Sequence, residues 1–161
     1  MNQSLTKSAE SVQNALASHG LSCQVLELSQ STRTAADAAS TIGCEVAQIV
    51  KSLIFKTKLT HRSVLILASG SNRVDEKKIE SQVGEKITKA DADFAKAVTG
   101  FAIGGIPPIG HKQAIDFTFI DEDLLKFDSV WAAAGTPNAV FNLQGKDLLE
   151  MTHGKVISIQ G

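Results

Sequence analysis

The chain has 161 residues, 43% of them hydrophobic, and a formal net charge of -1. That length and apolar content suit one compact domain with a real core, and the near-neutral charge excludes a global basic field for nucleic acid. Cys23 and Cys44 form no C-x-x-C pair, the first twenty residues lack the apolar core of a secretion signal, and no apolar run approaches a membrane span, so a reducing cytoplasm is the expected setting, without membrane contact, disulfide framework or metal site.

In chain order, Leu5, Ala9, Val12 and Leu16 recur on one helical face, with Gly20 as a stop. "SCQVLELS" alternates as a short strand. Thr34 and Asp37 have capping-box spacing at the start of a helix that ends at Gly43. Glu45 to Lys51 is expected as another short helix and Leu53 to Lys56 as a strand. "SVLILAS" reads as a buried strand bounded by "GSN". Asp75 is positioned to cap a helix through Val83, and Asp91 another through Val98. "AIDFTFID" is a strand, with Ile115 to Phe119 buried, and Asp121 opens a helical turn. "SVWAAAG" and "NAVFNL" are two strands joined through Gly135, Thr136 and Pro137. Gly145 to Met151 is a last helix and "KVISI" a last strand. Strands and short helices mix without strict β-α-β alternation, and no linker splits the chain. The expected class is α+β, one domain over 1–161, with a mostly antiparallel or mixed central sheet.

Two stretches invite chemistry. "GFAIGGIPPIGH", Gly100 to His111, packs four glycines, two prolines and a histidine into twelve residues. Such a loop is stiff and exposes bare backbone for a polar ligand; its plain alternative is a tight turn between elements. His111 is either a structural hydrogen bonder or an acid–base group. The other stretch, "AQIVKSLIF", places Lys51 inside an apolar run. Either its stem packs along the core edge while the ammonium snorkels to water, or it is a desolvated cation in a cleft, aimed at a carbonyl or phosphate oxygen. No Ser–His–Asp order, paired carboxylates or metal-ligand spacing stands out.

Charge is also uneven. Between Lys51 and Lys78 there are seven basic residues against two acids, a local +5 on a chain of net -1. Lys56, Lys58, Arg62, Arg73, Lys77 and Lys78 are the candidates for a basic rim able to hold a polyanion, against the alternative of an ordinary solvated surface.

Taken together, "VAQIVKSLIF", "LASGSNRVDEKKI", "TGFAIGGIPPIGH" and "AAAGTPNAVFNLQGKDLLEMTHGKVISI" resemble the YbaK-type aminoacyl-tRNA deacylase family, which includes free-standing relatives of the editing domain of bacterial prolyl-tRNA synthetase. The resemblance runs from about Leu5 to Ile159. It implies a mixed, barrel-like sheet surrounded by helices. It also implies hydrolysis of the ester that joins a wrong amino acid to the tRNA 3′ end, with no cofactor. The partners implied are the acceptor end of a mischarged tRNA, such as a small amino acid on tRNA-Pro, and an aminoacyl-tRNA synthetase. The family lysine matches Lys51, and its glycine-rich substrate loop matches Gly104, Gly105, Pro107, Pro108, Gly110 and His111. Its late pocket glycine matches Gly135, with Thr136 and Asn138 beside it. By the same resemblance Thr32 and Arg33 lie near the pocket mouth; from the local charge, Lys56, Lys58, Arg73, Lys77 and Lys78 are expected to face the tRNA. An aminoacyl ester is already activated, so a positioned water and a stabilised oxyanion suffice without a nucleophilic side chain. A non-catalytic tRNA- or nucleotide-binding or regulatory module on the same scaffold is the alternative.

Overall fold

The computed structural model describes residues 5–30 and 34–160. Among these, five helices surround one sheet of eight strands. The helices are α1 (Lys7–Ser18), α2 (Ala35–Ile42), α3 (Glu76–Val83), α4 (Ala92–Thr99) and α5 (Gly145–Thr152). The strands are β1 (Val25–Glu27), β2 (Ile49–Thr57), β3 (Ser63–Ser69), β4 (Ile87–Lys89), β5 (Phe117–Asp121), β6 (Val130–Ala133), β7 (Ala139–Leu143) and β8 (Lys155–Ile157).

The helix starts are set by short polar side chains. Thr34 accepts the Asp37 N–H (3.0 Å) and Asp91 the Phe94 N–H (2.8 Å), while Asp75 accepts the Lys77 N–H (3.1 Å). Each satisfies a donor the helix cannot. Gly43, Gly84 and Gly100 end α2, α3 and α4 in the left-handed region.

The strand order is β1-β7-β6-β2-β3-β5-β8, with β4 added to β2 off this path. β1–β7, β6–β7, β2–β3 and β2–β4 are antiparallel; β2–β6, β3–β5 and β5–β8 are parallel. The sheet is mixed and mostly antiparallel, as expected, but among the described residues β1 and β8 end the strand order without pairing to each other, and the barrel does not close. β3 is buried throughout because both of its faces are covered. Leu65 and Leu67 join α1, β6 and β7 residues in the larger core, while Val64, Ile66 and Ala68 join Ile79 and Val83 of α3 in a second one. Burial on both sides explains its unbroken apolar run.

Two expectations are corrected. Glu45 to Lys51 is not a helix: a single 3-10 turn at Val46–Gln48 leads straight into β2 at Ile49. Pairing of Val50 and Lys51 with Ser69 and Ala68, and of Ile49 with Trp131, outweighs the local helical pattern. Strand β4, which the sequence reading lacked, forms because Phe55, Lys56 and Thr57 offer it an edge. A smaller shift is that β5 begins at Phe117 rather than Ile115.

Candidate active site

The site is built on an interruption in the sheet. On one side β2 pairs with β3 continuously from Val50 to Lys56. On the other, the β6 ladder stops at Val50↔Ala132 and the β4 ladder starts at Phe55↔Lys89. Residues Lys51 to Ile54 therefore have no described strand opposite them there; Ile54 O accepts the Ala90 N–H (3.1 Å). Two cavities flank this gap, of about 370 and about 580 Å³, and Lys51, Ser52, Leu53, Ile103 and Ile106 line both. The rest of the smaller one is largely apolar, with Ile49, Val50, Trp131, Ala132 and Val140, closed by Ala35 and Ala38 of α2 and by Gly104. The larger adds charge: Arg73, Glu76 and Lys89.

Lys51 stands where the cavities meet. Its Nζ donates to the main-chain O of Asn72 (2.7 Å), which leaves two of three ammonium donors for a ligand. Asn72 is buried and braced: its Nδ2 donates to Asp121 Oδ2 (2.8 Å) and Asp123 Oδ2 (2.7 Å). Asp121, 1% exposed, also accepts the N–H groups of Ser69 (3.0 Å) and Asp123 (3.0 Å). The chain of contacts from β5 through the β3–α3 turn thus fixes the carbonyl that aims the lysine. Burial lowers the Lys51 pKa from its ordinary value, the nearby Arg73 guanidinium lowers it further, and the Asp121 carboxylate opposes both. This is a lysine with a specific acceptor and two cavities, rather than one whose head reaches for open water. Nothing in the local sequence around Asn72 or Asp121 announces this brace; its members are 49 residues apart.

The glycine-rich loop divides into parts with different roles. Gly104 lines the smaller cavity. Gly105 is buried, and a Cβ there would stand 2.8 Å from the Thr136 backbone; its O accepts the Gly135 N–H (2.8 Å). Gly135, at φ +99°, lies so close to Ser8 that only a residue without a side chain fits. Asn138 donates its N–H to Thr136 Oγ1 (3.2 Å) and its Nδ2 to Leu28 O (3.4 Å), tying the β6–β7 turn to the end of β1. Gly105, Gly135 and Asn138 therefore hold the loop against the turn and place Gly104, Ile103 and Ile106 over the gap. Pro107 is buried, and its O lies 2.7 Å from His111 Nε2. Gly110 and His111 line a separate cavity with His19, Pro108 and Thr152. The structure does not bring them to Lys51, and burial holds the His111 pKa below its usual value. Thr32 and Arg33 lie outside the described residues; their neighbour Thr34 lines the smaller cavity.

The basic candidates also separate. Arg73 lines the larger cavity. Lys56 sits over the Phe94 ring, 5.1 Å from its centre. Arg62 is engaged with Glu85 (3.2 Å) and the Phe117 ring, which removes it from a free rim. Lys58 is exposed near Lys86, and Lys77 and Lys78 are exposed on α3. Lys89, which the Lys51–Lys78 window missed, joins Arg73 at the larger cavity because β4 pairs with β2. Ser52, Leu53, Ile103, Ile106 and Trp131 were likewise not singled out; apolar lining carries no signal distinct from core.

Comparison with known proteins identifies the family. The family model "Aminoacyl-tRNA editing domain" matches residues 29–151. The chain is 33% identical over 134 residues to "Uncharacterized protein YwhH" of Bacillus subtilis, covering 82% of this chain and 83% of that protein. It is 26% identical over 127 residues to the "Putative Cys-tRNA(Pro)/Cys-tRNA(Cys) deacylase EbsC" of Enterococcus faecalis, covering 78% and 76%. A crystal structure described as "a putative trans-editing enzyme for prolyl tRNA synthetase" superposes with a TM-score of 0.92 at 44% identity, over 98% of this chain and 99% of that one. With the family match spanning the cleft lysine and the glycine-rich loop, and the whole sheet superposing on a solved relative, the chain belongs to the aminoacyl-tRNA editing domain family.

Proposed function

We propose that this protein is an aminoacyl-tRNA deacylase, its residues 1–161 forming one editing unit, that hydrolyses the ester of a mischarged tRNA in the cytoplasm. The observation that carries the reading is Lys51, held by Asn72 O at the junction of an apolar cavity and a charged one. An aminoacyl-tRNA 3′ end has the same two-part character. The amino-acid side chain suits the apolar cavity; the terminal nucleotide and its phosphate suit the cavity with Arg73 and Lys89. The ester that joins them then lies beside Lys51.

Water adds to the ester carbonyl, the negative charge that develops on oxygen is met by the Lys51 ammonium, and the C–O bond to ribose breaks. The ribose oxygen leaves with a proton, and free amino acid and tRNA are released. A preorganised cation in a partly dry cleft favours the charged transition state over the neutral ester. The apolar lining of this cavity, with Trp131 and the loop isoleucines, supports an uncharged amino-acid side chain, and the cysteine in the name of EbsC supports a small one. The names of EbsC and of the superposable structure support tRNA-Pro or a related tRNA as its carrier and a prolyl-tRNA synthetase as the source of the error. Steric exclusion alone discriminates a methylene by only about 1–3 kcal/mol, which is why a second, hydrolytic step follows charging.

The test is a panel of mischarged tRNAs incubated with the parent and with Lys51→Ala. The parent should release at least one small amino acid. The variant should be slower by about 10²- to 10³-fold, the effect of losing one preorganised donor, with its melting temperature preserved. A folded variant as fast as the parent would leave a binding module as the reading.

A further inference from the structure

Ser52 has no role in the site as described so far, yet it sits at its centre. Among the described residues its Oγ is the buried side-chain polar atom without a hydrogen-bond partner. A hydroxyl in that state carries a desolvation cost that native proteins rarely retain without use. Its main chain is placed in the same way. Ile54 directs its carbonyl away from β3, toward Ala90. Main-chain groups of an antiparallel strand alternate sides, so Ser52, two residues earlier, directs its N–H and C=O to that side as well. Among the described residues no strand stands there, because β6 has ended and β4 has not begun. Ser52 lines both cavities, beside Lys51.

Among the described residues, the lining of the smaller cavity contains no carboxylate, and Glu76 is the one carboxylate lining the larger. An aminoacyl ester carries an α-ammonium on the carbon next to the carbonyl, and it must find acceptors close to the junction. We propose that Ser52 binds the α-ammonium group of the substrate, through its main-chain O and through Oγ, which rotation about χ1 turns from its buried, unpartnered position toward the gap. Side chains of adjacent strand residues point to opposite faces. A ligand in the gap, lying in the plane of the sheet, therefore meets Lys51 from one face and Ser52 from the other. The ammonium and the developing oxyanion are thereby given different partners, which keeps the substrate cation away from the Lys51 cation. This assignment rests on the deacylase reading for the substrate's identity.

The experiment uses amide-linked 3′-aminoacyl-adenosine, which cannot be hydrolysed as an ester, and its counterpart with a hydroxyl in place of the α-amino group. Binding of both to the full chain is measured by calorimetry, alongside hydrolysis of the matching tRNA esters. The parent should bind the amino form about ten- to a hundredfold more tightly, the range for a hydrogen-bonded charge. Ser52→Ala should cut that preference severalfold, leaving the part the main-chain O supplies, acting on the amino form and sparing the hydroxyl form, and Ser52→Thr should restore it in full. In the free protein Ser52→Ala should melt at the same temperature or a few degrees higher, since it removes an unpartnered buried hydroxyl. Equal loss for both ligands, retention of the full preference, or a lowered melting temperature with parallel loss of both would overturn the assignment. Absence of ester hydrolysis by the parent, with the amino preference intact and dependent on Ser52, would remove the deacylase reading and leave the ammonium site standing.

Discussion

Asp121→Asn separates the charge of the Lys51 brace from its shape. Asp121 Oδ2 accepts from Ser69 N and Asn72 Nδ2, and Oδ1 accepts from Asp123 N. An asparagine keeps one acceptor oxygen. Its best orientation leaves that oxygen on Ser69 and Asn72 and turns its own N–H₂ toward the Asp123 N–H. One donor then faces another at a residue 1% exposed, at a cost of about 1–3 kcal/mol. For a chain of this size that corresponds to a melting temperature lower by roughly 2–12 °C. Asn72 keeps its bonds to position 121 and to Asp123, so its carbonyl still holds Lys51 and the protein still folds. What disappears is the negative charge that opposes burial and Arg73 in setting the Lys51 pKa. That pKa, already below 10.5, falls further. If Lys51 acts as an ammonium, deacylation declines as pH rises through its pKa, and this alkaline limb moves to lower pH in the variant. The assay is the rate on a mischarged tRNA across pH, after subtraction of spontaneous ester hydrolysis, with a thermal melt at each pH. A limb that stays in place or moves upward would refute the electrostatic role of Asp121, and an unchanged melting temperature would refute the hydrogen-bond count.

Gly105→Ala places a Cβ 2.8 Å from the Thr136 backbone; the loop must shift, stability should fall by about 1–3 kcal/mol as in other overpacked sites, and activity should fall with it in paired melts and kinetics. Glu85, which accepts from Leu59, Thr60 and Arg62, is held from the ordinary 4.5 down to about 2. Its contribution is complete above about 4.5 and is lost as pH falls toward 2, so Glu85→Gln should lower the melting temperature at neutral pH and show a smaller further loss on acidification than the parent. Neutralising Arg73 and Lys89 together should raise KM with kcat little changed, the mark of uniform binding, and should flatten the log–log salt dependence by roughly 0.7 for each phosphate of a single-stranded end that is no longer neutralised; a fall in kcat alone would place them at the chemistry.

The parts of the fold legible in the sequence are those decided within a few residues. Thr34, Asp75 and Asp91 start helices where a short polar side chain precedes an apolar face, and "SVLILAS" is a strand because its central apolar run is too short and too β-branched for a buried helix and is bounded by turn residues. The failures share one cause. "EVAQIVK" satisfies a helical pattern as well as an extended one, and only the partners Ser69, Ala68 and Trp131 decide for the strand. β4 has three residues and no pattern of its own; the open edge at Phe55–Thr57 creates it. Likewise the loop that reads as one substrate element is divided by packing, so that Gly104 reaches the cleft while His111 faces another cavity.

Lys51 was visible from the sequence because a charge inside an apolar run conflicts with its surroundings, and that conflict is a local property. The acceptor that aims it was not. Asn72, Asp121 and Asp123 meet only when β5 pairs with β3 and brings its end beside the turn after β3. The cleft is more remote still, since it is made by what is missing: β6 ends and β4 begins on the same edge of β2, leaving Lys51 and Ser52 between them without a described strand. Residue identity by itself determined which charge had to be accounted for and where the chain turns. Strand register, set by burial of side chains far apart in sequence, decided which atoms face the opening.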